Sequence, residues 1–295
     1  MPLESVARLM AKARQGKYAI GYFESWNLES LQGVIDAAET ANSPVIIGFN
    51  GDFLCSAGRK TEERLSWYAE LGKAAARSTH VPCALIFNEC PNDLWVEKAA
   101  IAGFNLVMPA DPEASYENYL KRVKTLTERA HSYGAWVEAE VGELPNGHSG
   151  HIQAGGSMTD PEIAAKFVEE TKVDLLAVSV GNVHIMVRGK QSLDLGQLEK
   201  IHRKVSIPLV LHGGTGIAED SLRQAINLGV AKVNYGTRLK QTYLHAVRTA
   251  LKNDAIDPHD LLGRGGESDI MVAGRLAVRD EVLRQIQVLG SEGKA

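Results

Sequence analysis

Short apolar runs alternate along the chain with longer segments whose apolar residues recur at helical spacing. The runs are continuous rather than alternating, which is typical of strands that are buried on both faces. They predict eight strands, at residues 18–23, 44–49, 81–87, 104–108, 135–141, 173–180, 207–211 and 231–235. The segments between them predict amphipathic helices, among them 28–40, 119–133 and 160–171.

Eight strands separated by helices favour a single (β/α)8 TIM barrel over residues 1–295. A doubly wound open sheet is the alternative fold. The chain has no glycine-rich dinucleotide fingerprint after the first predicted strand, and the regular strand count favours closure. No linker and no shift in composition divides the chain, so we predict one domain.

The formal net charge of −4 on 295 residues argues against nucleic acid or an anionic membrane as a partner. Charges of both signs are interspersed, which gives no basic surface for nucleic acid or an anionic membrane. No apolar segment is long enough to span a bilayer. The three cysteines form no CxxC pair, and charges interrupt the start of the chain where a signal peptide needs an apolar core. We therefore expect a cytoplasmic protein.

Polar residues follow several predicted strands, at the end of a barrel where the chemistry normally lies. His184 and His212 follow the sixth and seventh strands, and each has glycine nearby. Two imidazoles from neighbouring strands can hold a divalent ion and leave positions open for substrate oxygens. Glu89, after the third strand, is the candidate third ligand by position. The alternative is that these three are ordinary hydrogen-bonded or solvated loop residues.

The sequence Gly213-Gly214-Thr215-Gly216 predicts an anion site beside the second of these histidines. Its backbone N–H groups can approach a phosphate without an obstructing Cβ, and the helix pattern near residue 219 would direct its positive end at the same place. A glycine-rich turn is also usual in any tight connection. The position after strand seven favours phosphate, with further donors at Gly181, Asn234 and Thr237.

Four motifs carry a family resemblance: Val-Glu-Ala-Glu-Val-Gly at 137–142, Gly-Asn-Val-His at 181–184, His-Gly-Gly-Thr-Gly at 212–216 and Lys-Val-Asn-Tyr-Gly-Thr at 232–237. In this order they resemble the class II, metal-dependent fructose/tagatose-bisphosphate aldolases. That family uses zinc to polarise a ketose carbonyl and to stabilise the enediolate left when a C–C bond breaks.

The resemblance implies roles for individual residues. His184 and His212 would be two of three zinc ligands. Arg188 stands where the family has a phosphate-contacting lysine, and arginine keeps the charge. The implied phosphate-binding residues are Gly181, Gly213, Gly214, Thr215, Asn234 and Thr237. The implied partner is a small phosphorylated sugar, and a homo-oligomer, dimer or tetramer, is expected from family habit.

Asn88-Glu89 departs from the family, which has an acid/base aspartate followed by the third zinc histidine. An asparagine amide cannot carry a proton at neutral pH, so Asn88 can only form hydrogen bonds. Glu89 can still ligate a metal, and two histidines with one carboxylate suit zinc but also manganese, iron or cobalt. Glu24 replaces a family asparagine, and Gly236 also departs from the pattern. The changes indicate a divergent member.

Another group must therefore move the proton. Glu140, at the end of the fifth strand, is the first candidate and Glu24 the second. His148 lies in a glycine-bounded loop where the family has a mobile catalytic segment, although its alternative is an exposed loop without a role. Arg264 and Arg275 lie in the C-terminal segment where the family places an arginine for a distal phosphate.

Three functions remain open from the sequence. The first is a divalent-metal lyase that cleaves a phosphorylated ketose or a related keto sugar acid, with a substrate other than the standard fructose bisphosphate. The second is a metal-dependent sugar-phosphate isomerase or epimerase, which needs the same enediolate without C–C cleavage. The third is a non-catalytic relative that binds sugar phosphates.

Overall fold

Eight parallel strands form a closed barrel in the computed structural model, which describes residues 3–145, 156–184, 188–252 and 257–295. The strands pair in chain order, and the eighth pairs with the first. Their bounds are β1 (Ile20–Glu24), β2 (Val45–Asn50), β3 (Cys83–Cys90), β4 (Leu106–Pro109), β5 (Trp136–Val141), β6 (Leu175–Val178), β7 (Leu209–Leu211) and β8 (Val230–Tyr235). The predicted TIM barrel is therefore confirmed. Strand ends differ from the predictions by up to three residues, because burial and strand pairing do not stop at the same residue.

The helices of the described residues surround this barrel. Their bounds are α1 (Val6–Gly16), α2 (Leu28–Thr40), α3 (Gly51–Leu54), α4 (Leu65–Ser78), α5 (Asp93–Ala102), α6 (Tyr116–Ser132), α7 (Pro161–Thr171), α8 (Leu195–Lys204), α9 (Glu219–Asn227), α10 (Thr237–Ala250), α11 (Pro258–Leu261) and α12 (Ile270–Leu289). Local signals set several ends: Asn27 and Ser30 form a capping box on α2, and Asp160 caps α7. No helix in the described ranges is long and apolar enough to cross a membrane.

Apolar side chains form two separate layers. The larger layer lies between the barrel and the helices and includes Phe23, Phe87 and Phe167. The smaller one fills the barrel interior and continues into α1, whose Leu9 and Met10 are almost fully buried. Because α1 packs against one end of the barrel, it contributes to the core of the barrel itself. The sequence analysis did not predict this helix.

The backbone of β3 is irregular where it approaches the candidate site. The pairing of β3 with β4 shifts register between Phe87 and Cys90. Within this shift, Glu89 has a φ of 51°, in the left-handed region that non-glycine residues rarely adopt. Such a conformation costs on the order of 1–3 kcal/mol and is typical of functional sites. The irregularity sets the direction of the Glu89 side chain.

Close packing of β2 against β3 predicts the effect of one substitution. A Cβ added at Gly48 would lie 2.0 Å from the backbone oxygen of Ile86, which cannot move without disturbing the barrel. We expect Gly48→Ala to lower the free energy of unfolding by about 1–3 kcal/mol. Chemical denaturation followed by fluorescence measures this. Gly58→Ala is the control, because its nearest neighbour is the Ser56 hydroxyl at 3.7 Å; an equal effect of both changes would contradict the prediction.

Candidate active site

The three predicted metal ligands meet at the mouth of the barrel. Glu89 Oε1 lies 3.7 Å from His184 Nε2 and 3.6 Å from His212 Nδ1. These residues come from three different strand ends, and barrel closure brings them together. His212 is almost fully buried, whereas the side chain of His184 is 40% exposed. The cluster therefore lies at the boundary between the barrel interior and solvent.

Asn50, at the end of β2, orients the carboxylate of Glu89. Its Oδ1 accepts from the backbone N–H of Phe53 and caps α3, while its Nδ2 donates to Glu89 Oε2 at 2.8 Å. Oε2 is thereby occupied, and Oε1 faces the two imidazoles. Asn50 pairs with Asn88 in the register of β2 and β3. Its position beside the altered Asn88 is the signal that points to it. The sequence analysis missed it.

Two glutamates of β5 contact His212 from opposite sides of its ring. His212 Nε2 and Glu138 Oε1 are 2.9 Å apart, while Glu140 Oε2 lies 3.2 Å from Nδ1. A carboxylate that accepts from one ring nitrogen fixes the tautomer and leaves the other nitrogen available. Glu138 therefore directs Nδ1 of His212 towards Glu89 and Glu140. Glu140 Oε1 is buried without a hydrogen-bond partner in the described part of the chain.

Burial and opposite charge compete at each ionisable group. Burial would lower the pKa of His212, but Glu140 and Glu138 raise it to about 10. Burial would raise the pKa of Glu89, but His184 and His212 hold it at about 2. The pKa of His184 is also raised, because Glu89 and Glu140 outweigh its burial. The Glu89 carboxylate is therefore ionised, and the two imidazoles balance its charge.

Glu89, His184 and His212 are residue types that suit a divalent ion. Across the described ranges, no group of three or more His, Cys, Asp or Glu side chains forms an assembled metal site. The separations of 3.6 and 3.7 Å nevertheless compare with roughly 3.4 Å between ligands around a tetrahedral ion about 2.1 Å from each. When the imidazoles are neutral, as binding to a metal requires, the carboxylates of Glu89 and Glu138 outnumber the ammonium of Lys232 by one.

The glycine-rich turn lies beside this cluster and packs closely against the loop before His184. Gly213 has a φ of 67°, and a Cβ there would lie 2.1 Å from the backbone oxygen of Val183. Thr215 Oγ1 accepts from the backbone N–H of Arg238, in the first turn of α10. Asn234 Nδ2 is buried and has no hydrogen-bond partner among the described residues. The turn therefore lies against the end of β8, which carries Asn234, and against the start of α10 at Thr237.

A second charged pair lies on the β1 side of the mouth. Lys240 Nζ lies 2.5 Å from Glu24 Oε1 and 4.2 Å from the centre of the Phe53 ring. Burial raises the pKa of Glu24, and Lys240 opposes that effect. A Cβ on Gly236 would lie 2.2 Å from Glu24 Oε2, so glycine makes space for the carboxylate. The two departures noted in the sequence, Glu24 and Gly236, are therefore in contact.

The remaining predicted site residues lie in different surroundings. His148 lies outside the described residues. Gly181 has a φ of 96° in the loop that leads to His184, and Gly214 packs tightly below Tyr235. Arg188 is exposed, and none of the described contacts links it to the glycine-rich turn. Asn88 is buried at the end of β3, and its Oδ1 has no hydrogen-bond partner within the described ranges.

The C-terminal arginines have other partners. Arg275 forms a two-point ion pair with Asp36 on α2, at 2.6 and 2.7 Å. Arg264 pairs with Asp257 and Asp260 in the segment before α12. Both side chains are therefore engaged within the C-terminal helices and α2. Neither pairing supports a role in binding a distal phosphate.

Comparisons with known proteins identify the family of this chain. Residues 4–294 match the family model described as fructose-bisphosphate aldolase class-II. A fructose-bisphosphate aldolase of Geobacillus stearothermophilus is 33% identical over 301 residues, which cover 100% of this chain and 99% of that protein. A protein of Escherichia coli (strain K12) named uncharacterized protein YdjI is 35% identical over 279 residues, 94% of each chain.

Solved structures give the same result. The crystal structure of the YdjI aldolase from Escherichia coli K12 superposes with a TM-score of 0.80 at 30% identity, covering 100% of both chains. The structure of fructose-bisphosphate aldolase from Campylobacter jejuni has a TM-score of 0.79 at 22% identity, over 98% of this chain and 95% of that one, and shows the shared fold.

The family match and the barrel fold support an aldolase-like lyase. The chain belongs to the class II fructose-bisphosphate aldolase family. Its departures from the family pattern lie at strand ends, at Glu24, Asn88, Glu89 and Gly236, while the barrel is intact.

The contact between Gly236 and Glu24 predicts a coupling between these positions. In Gly236→Ala, the new Cβ would displace the Glu24 carboxylate from Lys240 and so lower stability. In a Glu24→Asn background the shorter side chain removes most of this conflict. A double-mutant cycle on thermal unfolding should give a coupling of about 0.5–1 kcal/mol. Strict additivity would contradict the predicted contact.

The raised pKa of His212 predicts how stability depends on pH in the metal-free protein. The folded value of about 10 lies above the ordinary 6.5, so the imidazolium adds stability below pH 6.5 that is lost as pH rises towards 10. With a chelator present, the thermal midpoint should therefore fall across this range. His212→Asn should flatten the dependence, whereas His245→Asn, on the exposed face of α10, should not. Equal slopes in all three proteins would rule out this origin.

Proposed function

We propose that this protein is a divalent-metal-dependent aldolase that cleaves a phosphorylated ketose, or a related keto sugar acid, by a retro-aldol reaction. Membership of the class II family supports the reaction type. The single observation that carries the metal dependence is the convergence of Glu89 with both imidazoles at 3.6 and 3.7 Å. Zinc is the first candidate, with manganese, cobalt and iron as alternatives, because two imidazoles and one carboxylate suit all four.

Two groups of residues at the mouth would bind different parts of the substrate. Gly213, Thr215, Asn234 and Thr237 would bind the phosphate through backbone and side-chain donors. His184, His212 and Glu89 would hold the ion, which on binding would polarise the ketose carbonyl and stabilise the negative charge left by bond cleavage. Gly181 supports the phosphate side through its position in the loop before His184. The family implies these roles, and the short distances from Glu89 to the two imidazoles support the metal-binding one.

Glu140 is the residue that we assign to proton transfer. Asn88 cannot take the proton from the substrate hydroxyl, because its amide does not ionise at neutral pH. Glu140 lies 3.2 Å from His212 Nδ1, and its other oxygen is buried without a partner among the described atoms. In the cleavage direction this carboxylate would accept the hydroxyl proton as the C–C bond breaks, and the electron pair would stay on the phosphorylated fragment.

Glu24 contributes to the other side of the mouth, where the aldehyde fragment would leave. Its pairing with Lys240 and its contact with Gly236 give this side a shape that the family pattern lacks. This difference supports a substrate other than fructose bisphosphate. Glu24 remains the second candidate for proton transfer, and His148 and Arg188 remain sequence predictions. The cytoplasmic location and the homo-oligomer likewise remain predictions.

Release of dihydroxyacetone phosphate from a panel of ketose phosphates and phosphorylated keto sugar acids tests this proposal. The protein is loaded in turn with Zn²⁺, Mn²⁺, Co²⁺ or Fe²⁺, and a chelated sample is the reference. We expect metal-dependent cleavage, with fructose bisphosphate a poor substrate. Conversion of the same compounds without cleavage would instead support an isomerase or epimerase. Binding without turnover would support a non-catalytic relative.

Substitution of Glu140 tests its role in the same assay. We expect Glu140→Gln to lower kcat on the best substrate by about 10²–10⁴-fold, since the amide cannot accept the proton. Glu169→Gln, an exposed carboxylate on the outer face of α7, is the matched control and should leave kcat unchanged. A Glu140→Gln enzyme with full kcat would eliminate this residue as the base, and the same measurement on Glu24→Gln would then test the second candidate.

A further inference from the structure

A fully buried lysine lies inside the barrel, below the candidate metal ligands. Lys232 of β8 and Glu138 of β5 are both 0% exposed, and their Nζ and Oε2 atoms are 2.7 Å apart. The ammonium also lies 5.2 Å from the centre of the Tyr22 ring. Removing two charges from water is costly, and apolar side chains of similar volume often stabilise a core equally well. The pair is therefore not explained by stability alone.

Lys232 contacts side chains that serve the two different halves of the site. Through Glu138, whose other oxygen lies 2.9 Å from His212 Nε2, it connects to a candidate metal ligand. Its own Nζ donates to Asn234 Oδ1 at 2.5 Å. Because a lysine ammonium can only donate, this contact requires the amide oxygen of Asn234 to face Lys232. The buried Nδ2 group, which has no partner among the described residues, is consequently available as a donor.

We propose that Lys232 is a positioning residue that sets both halves of the site at once. Its charge holds Glu138 so that Nδ1 of His212 is directed at the metal position, and its N–H group holds Asn234 so that Nδ2 is directed at the phosphate position. This inference rests on the proposed function, because it assumes that a metal and a phosphate bind where the family implies. Lys232 would touch neither the metal nor the phosphate, yet it would couple their binding.

Binding measurements on the full-length protein test the inference without relying on turnover. Calorimetry with Zn²⁺ alone, and then with inorganic phosphate added to the zinc-loaded protein, gives one affinity for each half. For Lys232→Met we expect zinc affinity to fall about 10–100-fold, as for other residues that orient a metal ligand. Phosphate affinity should also fall, about tenfold. Lys200→Met, exposed on α8, is the matched control and should change neither.

A second variant separates positioning from a structural role, since Lys232→Met alone leaves Glu138 buried and unpaired. In Lys232→Met/Glu138→Gln both buried charges are removed, and the amide oxygen of Gln can still accept from His212. We expect the double variant to recover thermal stability and most of its zinc affinity. Its phosphate affinity should stay low, because Asn234 has lost its donor. Wild-type phosphate affinity in a well-folded double variant would overturn the inference.

A cycle with Asn234 completes the test. Asn234→Ala should weaken phosphate binding, and adding Lys232→Met in that background should weaken it little further, because the shared contact is already absent. Full additivity of the two changes would contradict the coupling.

The proposed function and the role of Lys232 can fail separately. A wild-type protein that binds neither zinc nor phosphate would refute the proposed function. A wild-type protein that binds both, with variants that bind them equally well, would refute only the role of Lys232.

Discussion

Closure of eight parallel strands into one barrel is the constraint on which the whole site depends. Glu24, Glu89, His184, His212 and Asn234 are spread over more than two hundred residues of the chain, and they meet because each stands at or after the carboxyl end of a strand. The helices and the α1 end cap bury the apolar faces that hold this closure. Local backbone irregularities then set the directions of single side chains. The left-handed backbone of Glu89, for example, directs its carboxylate towards the imidazoles.

Electrostatic balance is the second determinant of the site. The barrel interior holds an excess of carboxylates over ammonium groups, and protonated imidazoles reduce this excess in the metal-free state. Buried charges are tolerated there because each has a partner at short distance. Glu24 and Lys240 form a separate ion pair at the mouth. The mouth thus combines a cluster rich in carboxylates with a pair in which one carboxylate meets one ammonium.

The sequence predicted the barrel well because its strands are continuous apolar runs, a strong and local signal. It also predicted which side chains stand at the strand ends, including His184, His212 and Glu89, since that follows from strand position. It did not predict Asn50 or Lys232 as partners. Their roles depend on which strands are neighbours and on which face of the strand a side chain lies, and these are tertiary properties. The ion pair of Arg275 with Asp36 on α2 was likewise not predicted, because it depends on the packing of α12 against α2.

The contact between Gly236 and Glu24 also makes these two positions depend on one another in any divergence of this site. A carboxylate at position 24 can extend towards Lys240 only where position 236 lacks a side chain. A lineage that acquired glycine first would have passed through a site with spare volume, whereas one that acquired glutamate first would have passed through a crowded one. Glycine at position 236 is therefore a precondition for the Glu24–Lys240 pair, so a residue without a side chain determines which charges this part of the mouth can hold.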